Sequence, residues 1–215
     1  MIPVLHGYRH SVYVRIVRLV LTEKGVAYGW HEINPFAATL PAAYLALHPF
    51  GRVPTLEHGD FTLYETSAIT RYIDRVFGGP DLQPTDPRSL ARMDQVLSIV
   101  DSYGYWPMVR WVYVQRVFRV RTGQPVDEAE AVLGLNASEK VLAALEMLAA
   151  DDVFLVGPTL SLADLHLGAM MAYFTAAAEG QMLLDRYARL SAWWDRVGGL
   201  ASFAETDPGL PVTQL

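Results

Sequence analysis

The sequence predicts an α/β domain followed by an all-helical domain (α/β plus all-α), and three observations support this. Strand-like and helix-like patterns alternate over residues 1–77. Residues 78–87, GGPDLQPTDP, contain two glycines and three prolines and are therefore a linker. Every periodic segment from residue 88 onward has helical spacing. We expect one domain over residues 1–77, a linker over 78–87, and a helical domain with a C-terminal tail over 88–215.

Short elements follow each other along the first domain. The predicted order is strand, helix, strand, short helix, strand, strand, helix, over residues 2–6, 11–24, 26–33, 41–47, 52–57, 61–65 and 65–77. Strands joined by a helix run parallel, whereas strands joined by a tight turn such as HGD run antiparallel. This connectivity is that of a thioredoxin-like domain.

The second domain contains long helical patterns. Residues 88 to about 121 form one stretch in which Pro107 predicts a kink, because proline removes a hydrogen bond and crowds the preceding turn. SLAD, residues 161–164, is an Asp variant of the capping box, in which Ser161 and Asp164 satisfy each other's backbone amides. The helix that it opens is apolar nearly all round, so we expect it to be the buried central helix.

Composition and charge narrow the functional classes. The 215 residues are 52% apolar and carry a formal charge of −6, which argues against a nucleic-acid partner. No apolar run approaches the ~20 residues of a membrane span, and we expect a soluble cytoplasmic protein with no membrane partner. The sequence has no cysteine, so we expect no metal site of the thiolate kind and no cysteine nucleophile. Any thiol chemistry requires a thiol that arrives with a ligand.

The GRVP turn is the first candidate binding feature. Pro54 stands where a strand begins, which indicates an edge or a special turn. A cis peptide bond is one solution, and an ordinary first strand residue is the alternative. A cis turn would leave the amide and carbonyl of Val53 facing outward, where an extended peptide ligand can pair with them.

A helix start is the second candidate feature. Glu65, Thr66 and Ser67 lie where free backbone amides and the positive end of a helix dipole favour a carboxylate. Glu65 also offers an acceptor for an ammonium group, so the group suits the zwitterionic end of an amino acid. The alternative is ordinary N-capping by Thr66 or Ser67.

The segment before the first helix is the third candidate feature. Ser11 is a natural N-cap, and its hydroxyl together with the first helical amides would favour the thiolate form of a bound thiol. Capping alone is the alternative role for Ser11. Tyr8 is a competing hydrogen-bond donor, and His10 is a candidate base.

With these features in place, the chain resembles the cytosolic glutathione transferase family. HPFGRVPTLEHGDFTLYETSAITRYI, residues 48–73, resembles that family's Asn-Pro-Phe-Gly-x-Val-Pro-x-Leu segment and the Glu-Ser-x-Ala-Ile that follows, and SLADLHL resembles its helical-domain capping box. The resemblance covers about residues 2–200. It implies that glutathione is the co-substrate, that Val53 beside a cis-Pro54 pairs with the cysteinyl backbone, and that Glu65 and Thr66 hold the γ-glutamyl end. It also implies a homodimer.

The resemblance narrows to the serine-type classes, those similar to theta and phi, in a bacterial-style member. Ser11 matches their serine, and its spacing to Arg15 resembles their Ser-x-x-x-Arg. The implied role of Ser11 is hydrogen-bond donor to the thiolate. Thr39 and Leu40 replace the His-Lys pair that binds the glycyl carboxylate in phi-type members, and Arg52 is the candidate substitute.

The family places its electrophile site against the first long helices of the second domain. Here that region is SYGYWPMVRWVYVQRVF, and its candidate pocket residues are Tyr103, Trp106, Arg110 and Trp111. Packing in the core is the alternative for each aromatic residue. The resemblance implies attack of the glutathione thiolate on a small hydrophobic electrophile. The alternatives are glutathione-dependent isomerisation or dehalogenation, and a non-catalytic protein that binds an apolar ligand.

Overall fold

A computed structural model describes residues 1–210 of the chain, and it contains two compact units. The first, here called the α/β unit, comprises Met1–Asp81 and Ser202–Pro208. The second, here called the helical unit, comprises Leu82–Ala201 together with Gly209 and Leu210. Among the described helices, none is both long enough and apolar enough to cross a membrane.

The α/β unit contains four short strands and three helices before residue 81. They are β1 (Val4–Gly7), α1 (Val12–Glu23), β2 (Gly29–Glu32), α2 (Ala42–Leu47), β3 (Thr55–His58), β4 (Phe61–Tyr64) and α3 (Thr66–Val76). The sheet order is β2-β1-β3-β4, in which β1 and β2 are parallel and β3 is antiparallel to both of its neighbours. The predicted order of elements and the predicted strand directions are confirmed.

The two faces of this sheet differ in chemistry. Leu5 and Leu56 are opposite each other on β1 and β3, and both are buried in the apolar core to which α1 and α3 contribute Ile16 and Ile69. The neighbouring strand residues His6 and Thr55 point to the other face, because successive side chains alternate along a strand. Tyr44 of α2 lies on that face, where its hydroxyl is 3.1 Å from the hydroxyl of Thr55.

A buried lysine joins the ends of α1 and α3. Lys24 follows α1 and is 5% exposed, and its ammonium donates to the Asp74 carboxylate at 2.9 Å, to the Asp74 carbonyl at 3.0 Å and to the Pro80 carbonyl at 2.8 Å. The chain passes close by at Gly79, where a Cβ atom would lie 2.8 Å from the Lys24 carbonyl oxygen. All three donor positions of this ammonium are therefore used, as a buried charge requires.

The helical unit begins with one continuous helical stretch. It consists of α4 (Pro87–Ile99), a π-helical segment (Val100–Phe118) and α5 (Arg119–Arg121). Pro107, where the sequence predicts a kink, lies inside the π-helical segment, and the helix continues through it. The remaining helices are α6 (Glu128–Leu148), α7 (Leu162–Phe174), α8 (Ala178–Leu184), α9 (Ala188–Val197) and α10 (Ala201–Glu205).

Helix α7 is the centre of the helical unit. Twelve of its thirteen residues are buried, as the apolar sequence predicts, and the capping box at its start is present. The Asp164 carboxylate is fully buried and accepts hydrogen bonds from the amide and hydroxyl of Ser161, from the Leu155 amide and from the Trp193 indole, at 2.7 to 2.9 Å. This one carboxylate therefore ties α7 to the preceding loop and to α9.

The chain end differs from the sequence prediction. The sequence assigns residues 202–208 to the helical domain, whereas the structure places Ser202–Pro208 in the α/β unit. The physical reason is a pair of hydrogen bonds from α1: Arg15 donates to the Phe203 carbonyl at 2.9 Å, and Arg18 donates to the Thr206 carbonyl at 3.0 Å. We call Ser202–Pro208 the C-terminal strap. Residues 211–215 of the predicted tail lie outside the described residues.

Candidate active site

The strand register brings the three candidate features to one end of the sheet. His6 of β1 is opposite Thr55 of β3, and Thr55 is opposite Tyr64 of β4. One residue after His6, β1 ends and the loop to α1 begins, and one residue after Tyr64 the chain enters α3. The Val53–Pro54 turn directly precedes Thr55. The loop before α1, this turn and the start of α3 are therefore neighbours in space, although 54 positions of sequence separate Ser11 from Glu65.

Ser11 is the N-cap of α1. Its backbone is extended, with φ −79° and ψ 123°, and its half-buried side-chain oxygen accepts a hydrogen bond from the Val14 amide at 3.4 Å. Its own amide donates to the Tyr8 carbonyl at 2.9 Å, which closes the turn before the helix. Within residues 1–210, the Ser11 hydroxyl donates to no acceptor, so its proton is available to a ligand.

Tyr8 and His10 lie beside Ser11 in the same loop. Their rings are in edge-to-face contact with centroids 5.6 Å apart. Burial raises the pKa of the Tyr8 phenol, and the negative charge of Glu32 raises it further. Burial lowers the pKa of His10, and Arg9 acts in the same direction while Glu32 opposes it. Tyr8 is therefore a neutral hydrogen-bond donor near neutral pH, and it stays an alternative to Ser11.

The turn before β3 has the cis geometry that the sequence offers as one of two solutions. The Val53–Pro54 peptide bond is cis, with Pro54 buried and Val53 half-buried. No group in the described part of the chain hydrogen-bonds to the amide or the carbonyl of Val53. The carbonyl of the preceding residue, Arg52, accepts a hydrogen bond from the Tyr44 hydroxyl at 2.5 Å, which holds the turn against α2.

The start of α3 is built differently from an ordinary cap. Glu65 is the N-cap, its φ is +74°, and its side chain makes no capping hydrogen bond. A positive φ is costly for a residue with a Cβ atom, on the order of 1 to 3 kcal/mol, and such residues concentrate at functional sites. Thr66 is the first helical residue and is 7% exposed. The N-cap residue of this helix is therefore Glu65, and its side chain is exposed.

Positions 39 and 40, where phi-type members carry their His-Lys pair, hold a threonine and a leucine. Thr39 is exposed, and Leu40 packs against Gly51, where a Cβ atom would be 2.9 Å from a Leu40 methyl group. Gly51 has a φ of +60°, so the chain turns here immediately before Arg52. The Arg52 side chain is exposed, and among the described residues it makes no ion pair.

His48, which is not among the site residues predicted from the sequence, lies beside the candidate residues at the start of α3. It is 2% exposed and its ring stacks on Tyr64 with centroids 4.7 Å apart and planes at 29°. Burial lowers its pKa, the charge of Glu65 opposes this effect, and that of Arg52 adds to it, which places His48 near both residues. Its position in the HPFG segment, three residues before the glycine turn, was the available signal.

In the helical unit, the four predicted pocket residues are exposed or half-buried. Tyr103 and Trp106 are 66% and 54% exposed, and the Arg110 guanidinium lies 5.9 Å from the centre of the Trp106 ring. Trp111 is half-buried with its ring 6.2 Å from that of Trp106. Tyr113, by contrast, is 6% exposed. The aromatic residues of this helix therefore do not all face the core.

No group of three or more His, Asp or Glu side chains in the described residues is arranged to hold a metal ion. The chemistry that the site offers is instead that of hydrogen-bond donors, a carboxylate and open backbone groups at the end of a thioredoxin-like sheet. Together with the all-helical second unit, these features define the class of proteins that combine a thioredoxin-like domain with an all-helical domain.

Comparison with known proteins identifies the family. Residues 5–81 match the model of the glutathione S-transferase N-terminal domain, and residues 124–196 match that of the C-terminal domain. Glutathione S-transferase F13 of Arabidopsis thaliana is 31% identical over 212 residues, 97% of this chain and 96% of that protein. Glutathione S-transferase 3 of Zea mays is 30% identical, with 97% and 94% of the two chains covered. This chain belongs to the glutathione S-transferase family.

Solved structures agree with this assignment. The apo form of glutathione S-transferase III has a TM-score of 0.86 with this chain at 28% identity, and 100% of both chains is covered. A theta-class glutathione S-transferase from Xanthomonas axonopodis pv. citri, solved with glutathione bound, has a TM-score of 0.79 at 26% identity, and covers 95% of this chain and 96% of its own.

Proposed function

We propose that this protein is a serine-type glutathione transferase, of the bacterial-style kind that its sequence suggests. It binds glutathione, favours the thiolate form of the thiol, and directs the thiolate sulfur at a hydrophobic electrophile. The observation that supports the proposal is the strand register, in which His6, Thr55 and Tyr64 are opposite one another. This register brings three groups to the same end of the sheet: the Ser11 N-cap, the unpaired amide and carbonyl of Val53, and the Glu65 carboxylate, which makes no capping hydrogen bond.

Glutathione is held through each of its three amino-acid residues. The amide and carbonyl of Val53, which have no partner in the described chain, pair with the cysteinyl backbone as an added strand. The Glu65 carboxylate accepts from the γ-glutamyl ammonium group, while Thr66 and the first amides of α3 bind the γ-glutamyl carboxylate. The exposed Arg52 guanidinium binds the glycyl carboxylate, a contact that suits its fork of donors.

Ser11 activates the sulfur as a hydrogen-bond donor. Its hydroxyl proton and the first amides of α1 stabilise the thiolate over the thiol. Each unit by which they lower the thiol pKa from about 8.5 corresponds to about 1.4 kcal/mol of thiolate stabilisation. The thiolate then forms a bond to the electrophilic carbon while the electron pair of the broken bond leaves with the displaced group. Catalysis consists of holding two reactants together and lowering one pKa.

The helical unit supplies the contacts to the electrophile. Tyr103, Trp106 and Trp111 offer exposed or half-buried aromatic faces, and Arg110 adds a cation over one of them. These groups favour a small, flat and apolar electrophile. A reducing cytoplasm, which keeps glutathione as the thiol, is the compartment that suits this chemistry.

The protein acts as a homodimer in this proposal. Phe50 of the α/β unit is 70% exposed, and its ring is in edge-to-face contact with His48 and Tyr64 at 6.2 Å. A large aromatic side chain held outward by neighbouring rings is typical of an interface anchor. A second copy of the chain is the partner that buries it.

The test is a pH titration of the ultraviolet thiolate band of bound glutathione, in the wild type, in Ser11→Ala and in Tyr8→Phe. We expect a thiol pKa well below that of free glutathione in the wild type and in Tyr8→Phe, and a return toward the free value in Ser11→Ala. In Ser11→Ala, the rate of conjugation should fall as the thiol pKa rises. Binding with an unshifted pKa would mean that the protein is a carrier, and a loss confined to Tyr8→Phe would make the phenol the donor.

A further inference from the structure

Helix α1, whose N-cap is Ser11, forms hydrogen bonds to the C-terminal strap. Arg15 donates to the Phe203 carbonyl at 2.9 Å and places its guanidinium 5.7 Å from the centre of the Phe203 ring. Arg18 donates to the Thr206 carbonyl at 3.0 Å. Arg15, Phe203 and Thr206 are at most 6% exposed, so these contacts are shielded from water.

The two arginines share a helix face with the serine. Ser11, Arg15 and Arg18 are spaced i, i+4 and i+7, which is the spacing of side chains that line one side of an α-helix. The contacts with the strap therefore begin about one turn from the proposed thiolate donor. Restraining this face restrains the rotation and the axial position of the N-terminus of α1.

Local capping alone holds this N-terminus weakly. The Ser11 side-chain oxygen is 3.4 Å from the Val14 amide nitrogen, longer than the usual 2.7 to 3.2 Å of an N–H···O hydrogen bond. A donor that must lie within hydrogen-bonding distance of a sulfur atom tolerates little displacement, since misplacement by about 1 Å reduces rates by about 100-fold. The helix therefore needs a second restraint, and the strap is in a position to provide it.

We propose that the C-terminal strap positions Ser11 for thiolate activation, with Arg15 and Arg18 as the positioning residues that transmit the restraint. This inference rests on the proposed function. The strap itself touches neither glutathione nor the electrophile in this proposal. Its removal should therefore change the pKa of the bound thiol and kcat, and should leave the binding of glutathione through Val53 and Glu65 largely intact.

The first experiment uses two truncated chains. A chain that ends at Pro208 removes residues 209–215 and keeps the strap, and a chain that ends at Ala201 removes both. We expect the longer chain to behave like the full-length protein. In the shorter chain, the thiol pKa should rise by about one unit and kcat should fall about tenfold, while the Kd for glutathione measured by calorimetry changes less than threefold.

A full-length variant covers the case in which the shorter chain does not fold. Arg18→Gln removes the hydrogen bond to Thr206, and Arg75→Gln, on the exposed end of α3, removes the same charge away from the strap. We expect a raised thiol pKa in Arg18→Gln, an unchanged one in Arg75→Gln, and partial recovery in Arg18→Lys. Circular dichroism confirms that each variant is folded.

The outcomes separate the two proposals. If Ser11→Ala raises the thiol pKa but a folded Arg18→Gln protein keeps the wild-type pKa and kcat, the strap proposal is wrong and the proposed function stands. If the full-length protein binds no glutathione, or Ser11→Ala leaves the thiol pKa unchanged, the proposed function itself fails. A Kd that rises more than tenfold with an unchanged pKa would assign the strap to binding, which also contradicts the proposal.

Discussion

Glu65 adopts a backbone conformation that glycine reaches without a steric penalty, yet the position carries a carboxylate. Neither a capping bond nor burial of the side chain compensates for the φ of +74°, because the carboxylate caps nothing and is exposed. Strain of this kind persists only where the surrounding structure enforces it. At the scale of the residue, a carboxylate in this conformation suggests selection for binding at the expense of stability.

Replacing Glu65 tests directly whether its carboxylate strengthens glutathione binding and lowers the stability of the fold. Glu65→Gly should raise the free energy of unfolding by up to about 1 kcal/mol, because it relieves the strain, and should weaken glutathione binding at least tenfold through loss of the carboxylate. Glu65→Gln should weaken binding similarly and leave stability within about 0.5 kcal/mol. Urea denaturation and calorimetry measure the two effects. A Glu65→Gly protein that is less stable and binds glutathione normally would contradict the role assigned here.

At the scale of the element, the buried capping box of α7 makes the stability of the helical unit depend strongly on one side chain, that of Asp164. Asp164→Ala would leave the Leu155 amide, the Ser161 amide and the Trp193 indole without an acceptor in the interior. We expect the free energy of unfolding to fall by about 3 to 5 kcal/mol. Asp86 is a matched control, since it is exposed and caps α4 by accepting from the Ser89 amide at 2.9 Å.

Asp86→Ala should cost only about 1 kcal/mol, the usual effect of losing an N-cap. Urea denaturation of the two variants measures the difference. Similar losses in both would show that the network around Asp164 contributes no more than a surface cap.

Elements also show how far the sequence predicts this fold. The strand directions followed from connectivity, because helix-joined strands run parallel and a tight turn forces antiparallel pairing. The SLAD box was predictable because its two partners are three residues apart. The π-helical winding of Val100–Phe118 was not, since its apolar pattern differs little from that of an α-helix. The strap was not predictable either, because Arg15 and Phe203 are 188 positions apart.

The candidate site likewise combines features that the sequence predicts with features that it does not. Ser11, Val53 and Glu65 could be proposed from the sequence because each lies at a turn or a helix start with a local chemical signature. The positive φ of Glu65 could not be predicted, since this backbone conformation is typical of glycine and asparagine and not of glutamate. The proximity of His48 to Tyr64 and Glu65 could not be predicted, because the fold brings these residues together from separate parts of the chain.

At the scale of the whole molecule, two histidines near the site couple stability to pH. Burial lowers the pKa values of His10 and His48, so the unfolded chain binds protons more readily than the folded chain. Their contribution to stability is complete above the unfolded value of about 6.5 and is lost as the pH falls through the lower folded values.

We therefore expect the free energy of unfolding to decrease between pH 7.5 and pH 5.5, and to decrease less in His48→Asn. Urea denaturation at the two pH values measures the effect, with the difference between wild type and variant as the quantity of interest. An equal decrease in the two proteins would mean that His48 is protonated as easily in the fold as out of it.

The engagement of Lys24 has a chemical consequence for a protein that handles electrophiles. The lysines of this sequence are Lys24 and Lys140, and there is no cysteine. Lys24 is 5% exposed and its ammonium donates to three oxygen acceptors, and an ammonium has no lone pair with which to attack an electrophile. The chain thus offers reactive compounds no thiol of its own, and one of its two lysines is buried as an ammonium. In the proposed function, the thiol that attacks the electrophile arrives with glutathione and departs with the product, so it is renewed at every turnover.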